Sequence, residues 1–308
     1  MVRVHSITSA GNLQPPCPKC ALSPCGACLS VVQWRKSAVP NNFPKQGGIP
    51  MTDLSFGLFS DLHANLPGLP ERGFAGRSME DLARGLSRFR DAGVRFAVSL
   101  GDNVQPAENA ERQAEQLSGM IALWNGYGFP VSLVPGNHEF QQLSHAEFLS
   151  VCGTDRTYSS FVTGGIRFVL LDTNVNPDGS HYSADNFDWR FGIVDDTQVR
   201  WLEDLLREKI PTVVFTHNCL YWETGDPSDA FFRVQNWEQL VDLLSGSGCV
   251  RAVFQGHHHT FRADRRDGIL FVNVPSPERA PAYTDECFPI VRIADGELFY
   301  NGVRGELL

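Results

Sequence analysis

Short apolar runs alternate along the chain with segments in which apolar residues recur every three or four positions. The first run, Leu54–Ser60, is short and almost wholly apolar, as a buried strand requires. Met79–Asp91 has helical spacing, with Leu82, Leu86 and Phe89 on one face. Val94–Leu100 predicts a second strand. Ala107–Trp124 predicts a long helix with Ala114, Leu117, Ile121 and Trp124 inward, and Pro130–Val134 a third strand. Ser159–Phe161 and Ile166–Leu171 read as a hairpin through Gly164-Gly165. Asp195 or Asp196 caps a helix running to Lys209, with Val199, Leu202, Leu205 and Leu206 apolar. A strand at Pro211–Thr216, a helix at Trp237–Leu244 and a strand at Val250–Gln255 follow. Gly268–Val274 and Pro289–Val303 are β-rich, with turns at Asp267-Gly268 and Asp295-Gly296. Repeated strand–helix–strand units predict a buried α/β sheet with helices on both faces, and the late hairpins predict two sheets packed as a sandwich.

Residues 1–50 break this pattern. They hold no Asp or Glu, five basic residues and seven of the 19 prolines, and they lack hydrophobic periodicity. A disordered Cys/Pro-rich tail is expected there, followed by one domain at 51–308. Cys17-Pro-Lys-Cys20 and Cys25-Gly-Ala-Cys28 have the composition of a four-thiolate zinc site. Their four-residue separation is shorter than the usual zinc-ribbon connection. The same tail also reads as sequence upstream of a start at Met51, which runs straight into the first strand. The other cysteines, Cys152, Cys219, Cys249 and Cys287, are scattered in core-like contexts and are expected to be reduced structural thiols.

Charge narrows the function. The chain has 26 basic and 35 acidic residues; without the five basic residues of the tail, 21 remain against 35, or −14 for residues 51–308. So acidic a domain is a poor binder of nucleic acid. No run reaches the roughly 18 apolar residues of a membrane span, and no secretory signal precedes the domain. A cytoplasmic protein that meets no membrane is the expectation, and nothing in the pattern sets its oligomeric state.

Polar residues collect where the strands end. The ends carry Asp61-Leu-His63, Gly101-Asp102-Asn103, Gly136-Asn137-His138-Glu139, His217-Asn218 and Gly256-His257-His258-His259. In α/β sheets, sites form beyond the carboxyl ends of strands, so these segments are expected to converge. Asp61, Asp102, His63, His217, His257 and His259 offer two carboxylates and four imidazoles, and Asn137 adds an amide oxygen. Such a mixed set suits Zn, Fe or Mn better than Mg or Ca. Seven ligands exceed the needs of one tetrahedral ion but suit two divalent metal ions sharing a carboxylate. Two such ions can clamp the attacking and leaving oxygens of a displacement at phosphorus. The glycines before Asp102, Asn137 and His257 are expected to let the chain turn sharply toward the ions.

These five blocks, in this order and each after a strand, resemble the calcineurin-like metallophosphoesterase superfamily from about Leu54 to about Val303. The resemblance implies a four-layer α/β/β/α sandwich of two mixed sheets, with the metal site at the strand C-terminal ends. It implies that Asp61, His63 and His259 hold one ion, that Asn137, His217 and His257 hold the other, and that Asp102 bridges them. His138 would be catalytic, facing the substrate phosphate, and His258 would point away. Gly136-Asn137-His138-Glu139-Phe140, Leu170-Leu-Asp172-Thr173, Gln198-Val-Arg-Trp201-Leu202 and Asn236-Trp237 are similar to two branches. These are the class III cyclic-nucleotide phosphodiesterases and the manganese-dependent ADP-ribose/CDP-alcohol diphosphatases.

One position departs from the pattern. Many members carry an Asp three residues after the bridging Asp, where it orients the catalytic His; here it is Gln105, so either His138 serves as a hydrogen-bond donor more than as a strong acid, or Glu139 or Glu108 substitutes. The purple acid phosphatases have Tyr there, which sets this chain apart from them. The implied reaction is in-line attack by metal-held hydroxide on a small phosphodiester or nucleoside diphosphate derivative. A phosphomonoesterase or a catalytically silent scaffold are the alternatives. Trp189 and Arg190 in the long Asn174–Ile193 segment, with Trp222 and Arg279 beyond other strand ends, offer aromatic and guanidinium contacts to such a substrate. Packing of the loop itself is the other use for these aromatics.

Overall fold

The computed structural model describes residues 52–64 and 75–305. The expected tail, with both Cys-x-x-Cys pairs, lies outside the described residues. Among the described residues, twelve strands form two six-stranded sheets. The first sheet runs β12 (Val303–Arg304), β11 (Glu297–Tyr300), β10 (Ile290–Ala294), β1 (Leu54–Phe59), β2 (Phe96–Ser99), β3 (Val131–Leu133). The second runs β4 (Ser159–Thr163), β5 (Ile166–Leu170), β6 (Thr212–Phe215), β7 (Val250–Gln255), β9 (Ile269–Asn273), β8 (Arg262–Arg266). Both are mixed. β1, β2 and β3 are parallel while β10 is antiparallel to β1. β5, β6, β7 and β9 are parallel, with antiparallel β4 and β8 at the edges.

The sheets pack face to face through one apolar core that includes Phe56, Phe96, Phe168, Phe215 and Phe254. Phe56 stacks on Phe96 at 5.1 Å and meets Phe168, Phe215 and Phe254 edge-on. Fully burying each such ring contributes roughly 1.5–3 kcal/mol. Two outer cores complete the four layers. Helix α1 (Ala75–Asp91) lays Leu82, Leu86 and Phe89 on the first sheet, beside Met120 and Trp124 of α2 (Ala110–Asn125). α4 (Asp196–Arg207) and α5 (Trp237–Ser247) cover the second sheet with Val199, Leu202, Leu206, Leu240 and Leu244. The sandwich is therefore α/β/β/α, as the resemblance implied; each sheet carries helices on its outer face alone, not on both as the strand–helix–strand pattern predicted, because its inner face packs on the other sheet.

Differences are local. α2 starts three residues later than expected because the Asn109 side chain caps it at Arg112 N–H. Asp195, not Asp196, caps α4 by accepting from Thr197 and Gln198 N–H. Helix α3 (His145–Cys152) was not expected from its mixed pattern. Its signal is Ser144-x-x-Glu147, which forms a complete capping box, with Gly153 left-handed at the other end. Strand β8 hid behind its charges: in Arg262-Ala-Asp-Arg-Arg only Ala263 is buried, as suits a sheet edge. Cys152, Cys219, Cys249 and Cys287 are free thiols, the last three buried, and burial pushes the Cys152 and Cys287 thiols up to about 12. Among the described residues no helix is long and apolar enough to cross a membrane.

Candidate metal centre

Seven polar side chains arrive at one end of the sandwich from five strand ends. Asp61 and His63 follow β1, Asp102 follows β2 and Asn137 follows β3, all in the first sheet. His217 follows β6, and His257 and His259 follow β7, in the second. All but His259 are buried, and the His259 side chain is only 15% exposed. Five of the seven, Asp61, His63, Asp102, His257 and His259, adopt left-handed backbone, with φ between 45° and 67°. Non-glycine residues hold such angles at a cost of about 1–3 kcal/mol each, and only where the surroundings enforce them. The expectation that three glycines make the turns holds for Gly101 alone, at φ 98°. Gly136 and Gly256 serve close approach instead. A Cβ on Gly136 would lie 2.3 Å from the Asp102 amide nitrogen, and one on Gly256 would lie 2.1 Å from Ser60 Oγ.

Two groups of ligand atoms result, and Asp102 belongs to both: Asp61, His63, Asp102 and His259; and Asp102, His217 and His257. In the first, His63 Nε2 and His259 Nε2 are 3.1 Å apart, His259 Nε2 is 3.2 Å from Asp61 Oδ1, and His63 Nε2 is 3.8 Å from Asp102 Oδ2. In the second, His217 Nε2 lies 3.4 Å from Asp102 Oδ2, 3.0 Å from Asn137 Oδ1 and 3.2 Å from His257 Nδ1. The arrangement fits cations. Asp61 Oδ1 is buried without a hydrogen-bond donor, and ring nitrogens face one another and carboxylate oxygens. The opposite faces are already engaged. Asp61 Oδ2 accepts from His257 N–H, Ser276 Oγ–H donates to the Asp61 carbonyl, and His217 Nδ1 is 2.7 Å from the Leu100 carbonyl. That last contact fixes the ring tautomer that leaves Nε2 to a metal.

Protonation follows the same geometry. Burial drives His63 and His257 down to about 3, so both stay neutral, as metal ligands must. Burial opposes ionisation of Asp61, but the His259 charge beside it overcomes it and holds the carboxyl well below its usual range. Asp102 is likewise held low, chiefly by His217 against burial. At His217 burial is outweighed by the Asp102 carboxylate, which raises it to about 9. Below that pH the metal-free protein carries a proton where a metal would bind. Metal uptake at pH 7 is therefore expected to release at least about one proton per chain, and affinity to weaken as pH falls. Calorimetric titration with manganese in buffers of different ionisation enthalpy checks this; buffer-independent heats would contradict it.

His138 and Glu139 open a short 3₁₀ turn, His138–Phe140. The His138 side chain is 23% exposed at the mouth of the site, with Nε2 3.9 Å from Asp102 Oδ2 and its ring edge-on to His63 at 4.5 Å. Its backbone N–H donates to Asp102 Oδ1 at 2.7 Å, and Gln113 Nε2 donates to its carbonyl. Glu139 does not orient His138, contrary to one expectation. Its carboxylate turns inward and accepts four bonds: from Asp102 N and Gly136 N on Oε2, and from Asn103 N and Nδ2 on Oε1. Burial and the Asp102 charge push the Glu139 carboxyl up. Every contact is nevertheless an N–H donor, which favours the ionised form. Glu108 is exposed in the approach to α2. Among the described residues, His138 Nδ1 is buried without a hydrogen-bond partner.

The rim residues separate. Trp189 reaches the site, its ring 5.5 Å from His257, beside Phe232 at 5.7 Å from the same imidazole. Arg190 does not: both its nitrogens Nε and Nη2 bind Asp188, and the guanidinium lies over Phe191. Trp222 is buried in packing, donating to Asp229 and stacking on His258 at 3.7 Å. That stack holds His258 away from both ligand groups, as expected. Arg279 is exposed on the 3₁₀ turn Pro277–Arg279, and its charge reaches His258. The sequence reading missed Glu278 on the same turn. Its Oε2 is 3.6 Å from His259 Nδ1 and 3.9 Å from His63 Nε2, where a carboxylate steadies a ligating imidazole.

Comparison with known proteins agrees with this site. The chain matches the calcineurin-like phosphoesterases over residues 54–261. It belongs to that family: it is a metallophosphoesterase with a dinuclear divalent metal centre. A dimetal phosphatase from Danio rerio shares the fold at TM-score 0.65 and 19% identity, over 83% of this chain and 97% of that one. Purple acid phosphatase PPD1 from yellow lupin (Lupinus luteus) aligns at TM-score 0.51 and 16% identity, over 81% of this chain and 51% of that one. GAP50, the anchor in the inner membrane complex of Plasmodium, aligns at TM-score 0.51 and 12% identity, over 80% and 84%. No curated protein matches in sequence.

Proposed function

We propose that the chain hydrolyses a small phosphodiester or nucleoside diphosphate derivative, and that its seven convergent polar side chains hold two ions as the sequence resemblance implies. Asp61, His63 and His259 hold one, Asn137, His217 and His257 the other, and Asp102 is shared. The observation that carries the reading is the pair of ligand groups meeting at Asp102, with His138 beside it and Trp189 bordering His257. When bound, the ions supply Lewis acidity and an activated water. The chain's own part is positional. His138 Nε2, at the mouth, donates to a phosphoryl or leaving-group oxygen. Its backbone is pinned by Asp102 and Gln113, so the imidazole needs little reorganisation. With no carboxylate on Nδ1, His138 acts as a hydrogen-bond donor more than as a strong acid. Trp189 and Phe232 offer flat apolar surface for a ring on the leaving group, and Arg279 a cation for a second phosphate. The negative domain disfavours nucleic acid and leaves small substrates.

The test is a manganese-loaded panel of bis-p-nitrophenyl phosphate, p-nitrophenyl phosphate, cyclic AMP, ADP-ribose and CDP-choline. Diester or diphosphate turnover is expected, with His138→Ala lowering kcat about 10²–10³-fold while metal content stays unchanged. Preference for the monoester would overturn the substrate class. Full activity in His138→Ala would remove that residue from the chemistry.

A further inference from the structure

A second group of metal-ligand atoms lies apart from the seven residues above: His145, Asp172 and His181, whose ligand atoms all fall within 4.8 Å of one another. The three come from separate parts of the fold. His145 is the first residue of α3, Asp172 follows β5, and His181 sits in the long segment between β5 and α4. His145 and His181 help line a cavity of about 590 Å³, together with Asp155, Asp178, Asp195 and Asp196.

Asp172 makes the group more than a coincidence of surface residues. It is wholly buried. Its Oδ1 accepts from Asn174 N and Nδ2, but its Oδ2 is buried with no hydrogen-bond partner. A buried carboxylate oxygen left without a donor costs on the order of 1–3 kcal/mol or more. The two imidazoles beside it are stacked at 3.8 Å with planes 18° apart. Two adjacent imidazoles and an unsatisfied carboxylate oxygen are the complement of a divalent cation.

Neighbouring contacts make the group a junction. The Asp172 backbone is clamped on both sides by Gln198 of α4. Asn174 Nδ2 donates to the Pro135 carbonyl, just before Gly136-Asn137. Val175 bridges to His181 and to Ile193, closing the segment on itself. The same segment carries Trp189 to His257. The carboxylates of Asp178 and Asp195 are committed to Ser180 and to the α4 cap, so they attract a cation without being needed as ligands.

We propose that His145, Asp172 and His181 hold a third divalent transition-metal ion of the zinc class, which fastens the Asn174–Ile193 segment to α3. Two nitrogens and one oxygen match zinc and exclude the oxygen-seeking magnesium and calcium. Zinc–ligand distances of about 2.0–2.2 Å require the rings to rotate out of their stack, and exposed His181 is free to do so. The remaining coordination position faces the cavity, where water or a small anion completes it.

The test loads the full chain with zinc, removes excess by gel filtration and counts metal per chain. His145→Ala/His181→Ala is expected to hold about one ion fewer than wild type and to keep the ions of the Asp102 centre. Asp102→Ala is the converse: it loses ions from that centre and keeps this one, so the two sites fail separately. Cobalt loading adds a spectroscopic readout. The wild-type minus double-variant difference is expected to show the visible band of a nitrogen/oxygen cobalt site. Trypsin reads the fastening, with severalfold faster cleavage at exposed Arg190 expected in the double variant. Equal zinc content and no cobalt difference band would overturn the site and leave water as the partner of Asp172. Equal cleavage rates would overturn its fastening role.

Discussion

Asp102→Ala is expected to reduce turnover of any substrate found to about 10⁻⁴ of wild type or less, with loss of metal. No other side chain touches as much of the centre. One Asp102 oxygen lies within 4 Å of His63, His138 and His217, and the other accepts the His138 backbone N–H. Removing it takes a ligand atom from both groups at once and withdraws the charge that lifts His217. It also frees the turn that aims His138. Metal analysis beside steady-state kinetics separates these losses. A variant that kept both ions and a tenth of its activity would show that the ions do not share this carboxylate.

Glu139→Ala is expected to destabilise the fold by about 3–5 kcal/mol and to weaken metal retention, although Glu139 binds no metal. Its two oxygens satisfy four N–H groups from Asp102, Asn103 and Gly136. Alanine would leave all four buried donors without partners and release the β2 and β3 ends from each other. Glu139→Gln is a gentler version. The amide oxygen keeps one side of the bracket while its NH₂ opposes the donors on the other. Denaturant unfolding of the metal-free proteins measures the effect, with alanine below glutamine below wild type expected. Equal midpoints would mean that the bracket contributes nothing.

The proposed metal ligands were legible because each sits just past an apolar run, and a strand's period fixes where its polar end must fall. Asp61, Asp102, Asn137, His217 and His257 could be placed from their own flanking residues. Glu278 could not, because it reaches His259 from a 3₁₀ turn after β9 and its role exists only in three dimensions. Glu139, one of the alternatives for orienting His138, faces elsewhere for a related reason. Adjacent residues on a tight turn point to different sides, so proximity to His138 in sequence gave the wrong partner. Arg190 and Trp222 were chosen for their chemistry, but local neighbours, Asp188 and His258, had already engaged them. β8 and α3 escaped the hydrophobic pattern because an edge strand and a short helix bury too little to impose a period.

The ligands' origin in both sheets has a consequence for the whole molecule. His63 and His259 meet although 196 positions separate them in the chain. An ion gripping both closes a very long loop and acts as a reversible non-covalent cross-link between two layers otherwise joined by apolar packing and a few hydrogen bonds. Because the site that grips the ions exists only in the folded chain, their binding free energy adds to the stability of the fold. The same ions that serve the chemistry would then make the two halves of the sandwich rise and fall as one cooperative unit, with cellular metal supply setting how firmly they are joined.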